Sequence, residues 1–347
     1  MSAKKGEHLS QKIVILGTGG TIAGLSLQPG AGGAYTAAQV DIQTLVNQAG
    51  PLAPSLAEGR AAGLSAPVVQ TEQLAQVDSK DMSEPIWQRL LQRVAQLQQD
   101  PEVHGIVITH GTDTLEETGF LLQACWPLGK PVVLTCAMRP SDAPDADGPG
   151  NLRDAIDLTR APGLSGVRMV CQGQVFEGHV FQKVRTDGVQ PFGADPLGAL
   201  GECRDGLYRE HRDVDRARAY PLVTPAEFTA LLTADPWPRV EIVMNHAGAD
   251  GRLVRDLLAG SASLPARDRL RGIVLAGTGG GTYSEGLSAA LQQAQQQGVL
   301  VWRSTRATWG MVSTVAHERF TGVPWSPVKA RVAMMLDLLV GRVPMRR

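Results

Sequence analysis

Two short segments of the sequence combine glycine with hydroxyl and carboxyl side chains in an order that suits acyl transfer. The first segment, LGTGGTIAG, runs from Leu16 to Gly24 and follows an apolar, β-branched stretch. Its glycines allow backbone N–H groups to point at a developing oxyanion, with the hydroxyl of Thr21 beside them. A dinucleotide fingerprint needs glycine in place of Ile22, and a phosphate loop needs lysine in place of Leu25. A nucleophile site and a structural tight turn remain as interpretations.

The second segment, THGTDTLEET, covers residues 109–118, where a predicted strand gives way to a helix. In parallel α/β sheets, ligands bind at the carboxyl ends of the strands. Thr114 and Glu117 have the spacing of a capping box, and we expect this cap to form. The cap leaves Thr112 and Asp113 without a structural role. Asp113 can hold a ligand ammonium group, and Thr112 can orient a water molecule or assist acyl transfer.

Other hydrolytic chemistries lack their residues in this sequence. There is no GxSxG elbow for a Ser–His–Asp hydrolase, and no HExxH motif or Cys/His cluster for zinc. A hydroxyl of ordinary acidity is a poor nucleophile, so a threonine here needs a lysine or a tyrosine to assist it. His104 and His110 lack ligand spacing, and we expect hydrogen-bonded structural roles for both. We therefore predict neither a metal nor a cofactor.

The composition narrows the class of protein. The 347 residues carry a formal net charge of -1 without a sustained charged block, which argues against nucleic-acid binding. No apolar run approaches the roughly 18 residues that span a bilayer, and the first residues do not resemble a signal peptide. We expect a cytoplasmic protein whose partner is a small molecule or another copy of the chain. Its widely spaced cysteines are predicted to be reduced: Cys125, Cys136, Cys171 and Cys203.

The two segments need a scaffold that brings strand ends together. Short apolar runs alternate with longer helical patterns, which predicts an α/β fold whose parallel strands are covered on both faces. The predicted strands are residues 13–16, 105–109, 132–135, 167–171, 240–245, 273–276 and 299–302. The predicted helices are residues 85–98, 115–126, 152–161, 253–259, 285–296 and 328–339.

This alternation predicts two doubly wound domains. The larger N-terminal domain, residues 1–201, contains a parallel sheet, and the smaller C-terminal domain, residues 238–347, is flavodoxin-like. The charge-rich residues 202–237 between them are predicted to be a linker. Residues 25–37 are rich in glycine and other small residues, and they follow the first segment directly. We predict that they form a mobile lid that carries Tyr35.

The segments TGGTIAG, at residues 18–24, and HGTDT, at residues 110–114, are similar to the two signatures of the bacterial-type L-asparaginase family. The resemblance covers nearly the whole chain and is closer to the cytoplasmic branch of the family. Further segments resemble the family in the same order: VDSKDM at 77–82, AMRP at 137–140, DGP at 147–149, NL at 151–152, AGTGGGT at 276–282 and KARV at 329–332.

The resemblance implies an amidohydrolase without a cofactor, which converts L-asparagine to L-aspartate and ammonia with Thr21 as the nucleophile. It also implies a homotetramer built as a dimer of dimers. The catalytic residues that it implies are Thr21, Thr112, Asp113, Lys183 and Tyr35. The substrate-binding residues that it implies are Ser79, Lys80, Gly20, Gly111 and Asp113.

The sequence departs from many secreted family members at three places. Lys80 replaces a glutamine, and Gly248 replaces an asparagine that reaches a neighbour's site. The glutamate that would pair with Tyr35 is not identifiable, although residues 304–310 lead towards Glu318. Two alternatives stay open: a glutaminase-asparaginase with broad amide preference and a non-catalytic amino-acid sensor. An amidotransferase subunit that acts on tRNA-bound glutamate also resembles the family, but we expect it to carry an additional domain before the threonine motif, which argues against it.

Overall fold

The computed structural model describes residues 12–28, 34–51, 66–126, 129–204, 206–214, 220, 222–312 and 319–342. Two compact units divide the chain, Met1–Leu222 and Val223–Arg347. Residues 202–237, which the sequence predicts to be a linker, contain regular secondary structure. Most of their first part forms two strands of the first unit, and residues 225–233 form a helix of the second. The charged residues Arg204, Arg209 and Glu210 lie on exposed positions of these two strands, where contact with solvent favours polar side chains as it does in a linker.

The first unit contains a mixed sheet of eight strands in the order β12-β11-β8-β7-β6-β5-β1-β4. Two further pairs, β2 with β3 and β9 with β10, lie outside it. The strands are β1 (Lys12–Gly19), β2 (Leu25–Ser26), β3 (Tyr35–Thr36), β4 (Val68–Val77), β5 (Val103–Thr109), β6 (Val132–Thr135), β7 (Val167–Cys171), β8 (Gln174–Glu177), β9 (Gln182–Lys183), β10 (Phe192–Gly193), β11 (Gly201–Arg204) and β12 (Leu207–Glu210).

The five strands β4, β1, β5, β6 and β7 are parallel, whereas β8, β11 and β12 extend the sheet in antiparallel fashion. The central strands are continuous apolar runs because helices cover both of their faces. Helices of this unit are α1 (Ile42–Ala49), α2 (Glu84–Gln99), α3 (Leu115–Cys125) and α4 (Gly148–Thr159). Helices α1 and α4 share one core with Ile13, Ile15, Val107 and Val133, while α2 and α3 contact β5 and β7.

The second unit contains a four-stranded parallel sheet whose order follows the chain, β13-β14-β15-β16. Its strands are β13 (Arg239–Met244), β14 (Leu270–Gly277), β15 (Leu300–Thr305) and β16 (Thr321–Gly322), and its helices are α5 (Pro225–Thr233), α6 (Arg252–Ala262), α7 (Glu285–Gln296) and α8 (Pro327–Val340). Helices α6 and α7 share a core with the sheet, and α8 packs on β13, β14 and β15. The predicted α/β class, with two separate sheet domains, is thereby confirmed. Among the residues described, no helix is long and apolar enough to cross a membrane.

Candidate active site

Strands β1 and β5 are adjacent and parallel, so the two sequence segments meet at one edge of the sheet. Gly17 pairs with Thr109, and the Thr18 hydroxyl donates a 2.8 Å hydrogen bond to the Thr109 carbonyl. Beyond this point the two loops touch directly. A Cβ atom built on Gly20 would lie 2.3 Å from the Cα of Gly111, and φ of Gly20 is +82°. Only glycine satisfies both constraints, so Gly20 is required for the contact between the loops.

Thr21 begins a short 3-10 turn, Thr21–Ala23, immediately after β1. Its hydroxyl oxygen lies 2.7 Å from the hydroxyl oxygen of Tyr35, and either group can be the donor. Thr21 is 7% exposed, whereas Tyr35 is 38% exposed. The structure therefore pairs a nearly buried hydroxyl with a phenol that reaches it from the surface. Residues 29–33 of the predicted lid lie outside the described residues.

A second hydroxyl is paired with a lysine. The Lys183 ammonium donates to the Thr112 hydroxyl at 2.8 Å and to Asp113 Oδ1 at 2.5 Å. Lys183 lies on β9, outside the main sheet, and its side chain is 20% exposed. Asp113 Oδ2 makes no hydrogen bond to the residues described. The lysine thus connects the nearly buried Thr112 to Asp113, the residue that is predicted to hold a ligand ammonium group.

Ser79 joins this edge of the sheet from the 3-10 turn Ser79–Asp81, which follows β4. It is buried, and its hydroxyl oxygen accepts a 3.2 Å hydrogen bond from the Asp113 N–H. Because the serine oxygen acts as the acceptor there, its own proton remains available for a ligand carboxylate. The structure therefore places the Ser79 hydroxyl, which is predicted to bind a carboxylate, next to Asp113, which is predicted to bind an ammonium group.

The predicted capping box at the start of α3 does not form. Thr114 is the N-cap residue, but its side chain makes no capping hydrogen bond, and its φ and ψ are -121° and 14°. An N-cap side chain usually acts from an extended backbone. The Thr114 hydroxyl instead donates a 2.8 Å hydrogen bond to the Ser79 carbonyl. Thr114 therefore ties the Ser79 turn to the Asp113 loop.

Two of the predicted substrate-binding residues have other partners. The Lys80 ammonium lies 2.5 Å from Asp78 Oδ2 and 3.6 Å from Asp81 Oδ2, and its side chain is 63% exposed. The carboxylate of Asp78 raises the pKa of Lys80. The N–H of Gly20 donates to the Val77 carbonyl at 2.9 Å. The positive charge of Lys80 is thus balanced by carboxylates of its own turn. The N–H of Gly20 is already used in a hydrogen bond to the Val77 carbonyl.

His110 is buried and connects the site to the core. The Trp87 indole can only donate, so the Thr118 hydroxyl oxygen accepts its hydrogen bond at 2.9 Å. The Thr118 hydroxyl in turn donates a hydrogen bond to His110 Nε2, also at 2.9 Å. Nδ1–H then donates to the Gly111 carbonyl at 2.8 Å. Burial lowers the pKa of His110 to about 4, so the ring is neutral near pH 7. This supports the structural role that we expect from the sequence.

The orientation of the Gly111 carbonyl also sets the direction of the next N–H. In a planar trans peptide the C=O and N–H groups point in opposite directions, so the N–H of Thr112 points away from His110. Thr21 is the first residue of its turn, and such residues have N–H groups without a helical partner. Neither N–H makes a hydrogen bond to the residues that the structure describes. Both are available as oxyanion donors.

The remaining predictions fall elsewhere in the chain. Gly248 lies in the second unit with φ of +81°, and nothing lies within 4 Å of a Cβ built on it. Glu318 lies outside the described residues, so the predicted glutamate partner of Tyr35 stays unassigned. Within the described ranges, no cluster of three or more His, Cys, Asp or Glu residues could hold a metal ion.

Comparison with known proteins identifies the family. The family description "Asparaginase, N-terminal" matches residues 12–215, and "Glutaminase/Asparaginase C-terminal domain" matches residues 239–344. The chain belongs to the asparaginase family. This confirms the predicted resemblance and the prediction of an amidohydrolase enzyme.

The relatives cover nearly the whole chain. L-asparaginase 2 of Escherichia coli is 33% identical over 96% of this chain and 90% of its own length. A glutaminase-asparaginase of Pseudomonas fluorescens is 31% identical over 94% of this chain and 86% of its own length. The solved structure of a probable cytoplasmic L-asparaginase from Campylobacter jejuni superposes with a TM-score of 0.81 at 30% identity, covering 95% of both chains. The names in the family therefore include both asparagine and glutamine hydrolysis.

Proposed function

We propose that this protein is an L-asparaginase, which hydrolyses the side-chain amide of L-asparagine to L-aspartate and ammonia. The observation that carries the proposal is the pair of assisted threonines at one sheet edge. Thr21 lies 2.7 Å from Tyr35, and Thr112 lies 2.8 Å from Lys183, on loops that touch at Gly20 and Gly111. If Thr21 belonged only to a structural tight turn, a second pair of Thr112 and Lys183 at the same sheet edge would have no purpose.

In this proposal the substrate is held by its two charged ends. The Ser79 hydroxyl donates to the α-carboxylate, and Asp113 binds the α-ammonium group. The hydrogen bond between the Asp113 N–H and the Ser79 oxygen, 3.2 Å long, keeps these two groups side by side. The side-chain amide then extends towards Thr21.

Acylation begins when the Thr21 oxygen attacks the amide carbon. The oxygen of the amide becomes an oxyanion, which the N–H groups of Thr21 and Thr112 stabilise. Tyr35 takes the proton of Thr21 and passes its own proton to the amide nitrogen. The C–N bond breaks, ammonia leaves, and an aspartyl ester on Thr21 remains.

Deacylation requires a water molecule. The Thr112 oxygen accepts from Lys183 with one lone pair, and its other lone pair can orient a water for attack on the ester. One proton of the water returns to the Thr21 oxygen as the C–O bond to the enzyme breaks. Aspartate leaves, and the threonine hydroxyl is restored.

Asparagine is the preferred substrate in this proposal, and a glutaminase-asparaginase is the alternative. Because the α-groups are fixed, one additional methylene group displaces the amide relative to Thr21. A displacement of about 1 Å can cost on the order of 100-fold in rate. Equal specificity constants for asparagine and glutamine would support the broad-specificity alternative instead. The glutaminase-asparaginase relative is the observation that keeps it in view.

Ammonia release from asparagine and from glutamine, measured with the wild-type protein and Thr21→Ala, tests the proposal. We expect the variant to lose about 1,000-fold or more in kcat. In the presence of hydroxylamine, a covalent path gives β-aspartyl hydroxamate while ammonia release continues. Binding of asparagine without ammonia release would instead identify an amino-acid sensor.

The roles of the two threonines can be separated by mass spectrometry of acid-quenched protein. We expect an aspartyl adduct on the peptide that contains Thr21, and more of it in Thr112→Val, where deacylation is slow. An adduct on Thr112 would reverse the two roles. Lys183→Met should lower kcat far more than it weakens aspartate binding, because the lysine contacts Thr112.

We also propose a cytoplasmic homotetramer assembled as a dimer of dimers. The four cysteines are free, which fits a reducing compartment. Sedimentation of active protein as a monomer at assay concentration would contradict the assembly. Recovery of the activity in a periplasmic fraction would contradict the location.

A further inference from the structure

Strand β2, which pairs with the strand that carries Tyr35, is held on both sides. Strand β2 pairs with β3 through Leu25 with Thr36 and Ser26 with Tyr35. Tyr35 also packs back over Gly24, because a Cβ built on Gly24 would lie 2.9 Å from Tyr35 Cδ2. The position of the Tyr35 ring therefore depends on residues 24–26.

The other side of β2 is held by Ser141 and Asp142. The Ser26 N–H donates to Asp142 Oδ1 at 2.9 Å and to Oδ2 at 3.1 Å, and the Ser26 hydroxyl donates to Oδ1 at 2.9 Å. The N–H and the hydroxyl of Ser141 donate to the Gly24 carbonyl at 2.9 and 2.8 Å. Hydrogen bonding from Ser26 lowers the pKa of Asp142. The outward-facing N–H of a short edge strand is thus bound by a carboxylate.

Asp142 belongs to a loop that is itself fastened to the sheet domain. Asp147, a buried residue at the start of α4, accepts hydrogen bonds from the N–H groups of Met138 and Arg139 at 2.9–3.1 Å. Its Oδ2 also lies 3.2 Å from the Asn151 amide nitrogen, which donates to it. Hydrogen bonds to Asp147 therefore hold the start of this loop in place, and Asp142 connects the loop to β2 by accepting hydrogen bonds from Ser26.

We propose that Asp142 is a positioning residue that holds the β2–β3 hairpin where the Tyr35 hydroxyl reaches Thr21. The proposal rests on the catalytic role of Tyr35 proposed above. The contacts that position the ring lead from Asp142 to Ser26 and from Ser26 to Tyr35. They end at the 2.7 Å contact between the hydroxyl oxygens of Tyr35 and Thr21. Removal of the carboxylate frees the Ser26 N–H and hydroxyl together. The Tyr35 hydroxyl then samples positions away from Thr21, and proton transfer slows.

Asp142→Ala is the main test, and Asp145→Ala is the matched control. Asp145 lies in the same loop, and its exposed carboxylate pairs only with Arg139, at 2.8 Å, among the residues described. We expect Asp142→Ala to lower kcat for asparagine at least 10-fold, with KM changed less than threefold and an unchanged unfolding temperature. Asp142→Asn keeps one acceptor for Ser26 and should recover most of the rate. Asp145→Ala should match the wild type.

A double variant separates positioning from a general structural effect. In a Tyr35→Phe background, Asp142→Ala should lower kcat less than twofold further, since the phenol through which it acts is gone. An equally large loss in both backgrounds would overturn the proposal. So would a fall in the unfolding temperature that accounts for the lost activity.

Hydrogen exchange makes the test independent of the reaction. The amide of Ser26 should exchange at least 10-fold faster in Asp142→Ala than in the wild type or in Asp145→Ala. An unchanged rate of exchange at the Ser26 amide would refute the positioning role of Asp142, even if the activity of Asp142→Ala fell. A wild-type protein that releases no ammonia from asparagine would refute the proposed function alone, because the exchange measurement still reports on the hairpin.

Discussion

The hydroxyl of Thr114 donates a 2.8 Å hydrogen bond to the carbonyl oxygen of Ser79. The two residues are 35 positions apart in the chain, and the bond joins the turn after β4 to the loop after β5. Ser79 in turn accepts from the Asp113 N–H, so the two loops are bound to each other twice. These bonds position the groups that we propose to bind the α-carboxylate and the α-ammonium of the substrate.

Thr114→Val should therefore weaken substrate binding rather than destabilise α3. Loss of one hydrogen bond worth about 1 kcal/mol predicts a KM for asparagine raised roughly fivefold, with kcat within twofold. Thr114→Ser keeps the hydroxyl and serves as the control. Steady-state kinetics and thermal unfolding check the result. A lowered unfolding temperature with normal KM would restore the helix-cap interpretation.

Gly20→Ala should separate the two motif loops. Its φ is +82°, and the new Cβ would lie 2.3 Å from the Cα of Gly111. Gly163→Ala is a matched control, since its φ is +77° and nothing lies within 4 Å of a Cβ there. The control should lose about 1 kcal/mol of unfolding free energy, and Gly20→Ala about 3 kcal/mol or more, together with its activity. Equal losses in urea unfolding would show that the contact between the loops is unimportant.

His110 should make the folded protein sensitive to acid. Its pKa is lowered from 6.5 to about 4 by burial, so the unfolded chain binds a proton over this interval and the folded chain does not. Stability present above pH 6.5 is therefore lost as pH falls towards 4, by about 3 kcal/mol from this residue. Urea unfolding of His110→Leu at pH 7 and pH 4.5 should show a correspondingly smaller loss. His104→Leu, at a half-buried site, should change the slope less.

Asp154 should have the opposite dependence on pH. Burial raises the pKa of this carboxyl group to about 6, above the ordinary 3.8. Its contribution to stability is fully present below pH 3.8 and is lost as pH rises through 6. Asp154→Asn should exceed the wild type in unfolding free energy by about 2 kcal/mol at pH 8, allowing for partial exposure, and match it near pH 4.

The central strands could be predicted because burial on both faces leaves a pattern in the sequence itself. The predicted strands 105–109, 132–135 and 167–171 agree with β5, β6 and β7 to within two residues. The apolar pattern does not predict strand β4, because this strand lies at the sheet edge, where exposed and partly buried residues such as Gln70 and Glu72 interrupt the apolar run. Helix α4 begins four residues before the predicted start, since Pro149 is compatible with a first helical turn.

The candidate nucleophile could also be predicted, because glycines and hydroxyls at a strand end are local features. The partners of those hydroxyls could not be, since they lie far away in the chain. Lys183 is 71 residues from Thr112, and its place in the catalytic set came from family resemblance rather than from its surroundings.

Local sequence by itself determined the buried central strands β5, β6 and β7, and that Thr21, Thr112 and Asp113 follow strands. Tertiary structure alone decided which hydrogen-bond partner each of these polar side chains has. Thr114 has the spacing of a helix cap, yet it bonds to Ser79. Asp142 has no motif, yet it holds the strand beside Tyr35. A hydrogen bond forms with whichever partner folding brings within about 3 Å, and for these side chains that partner comes from a distant part of the chain.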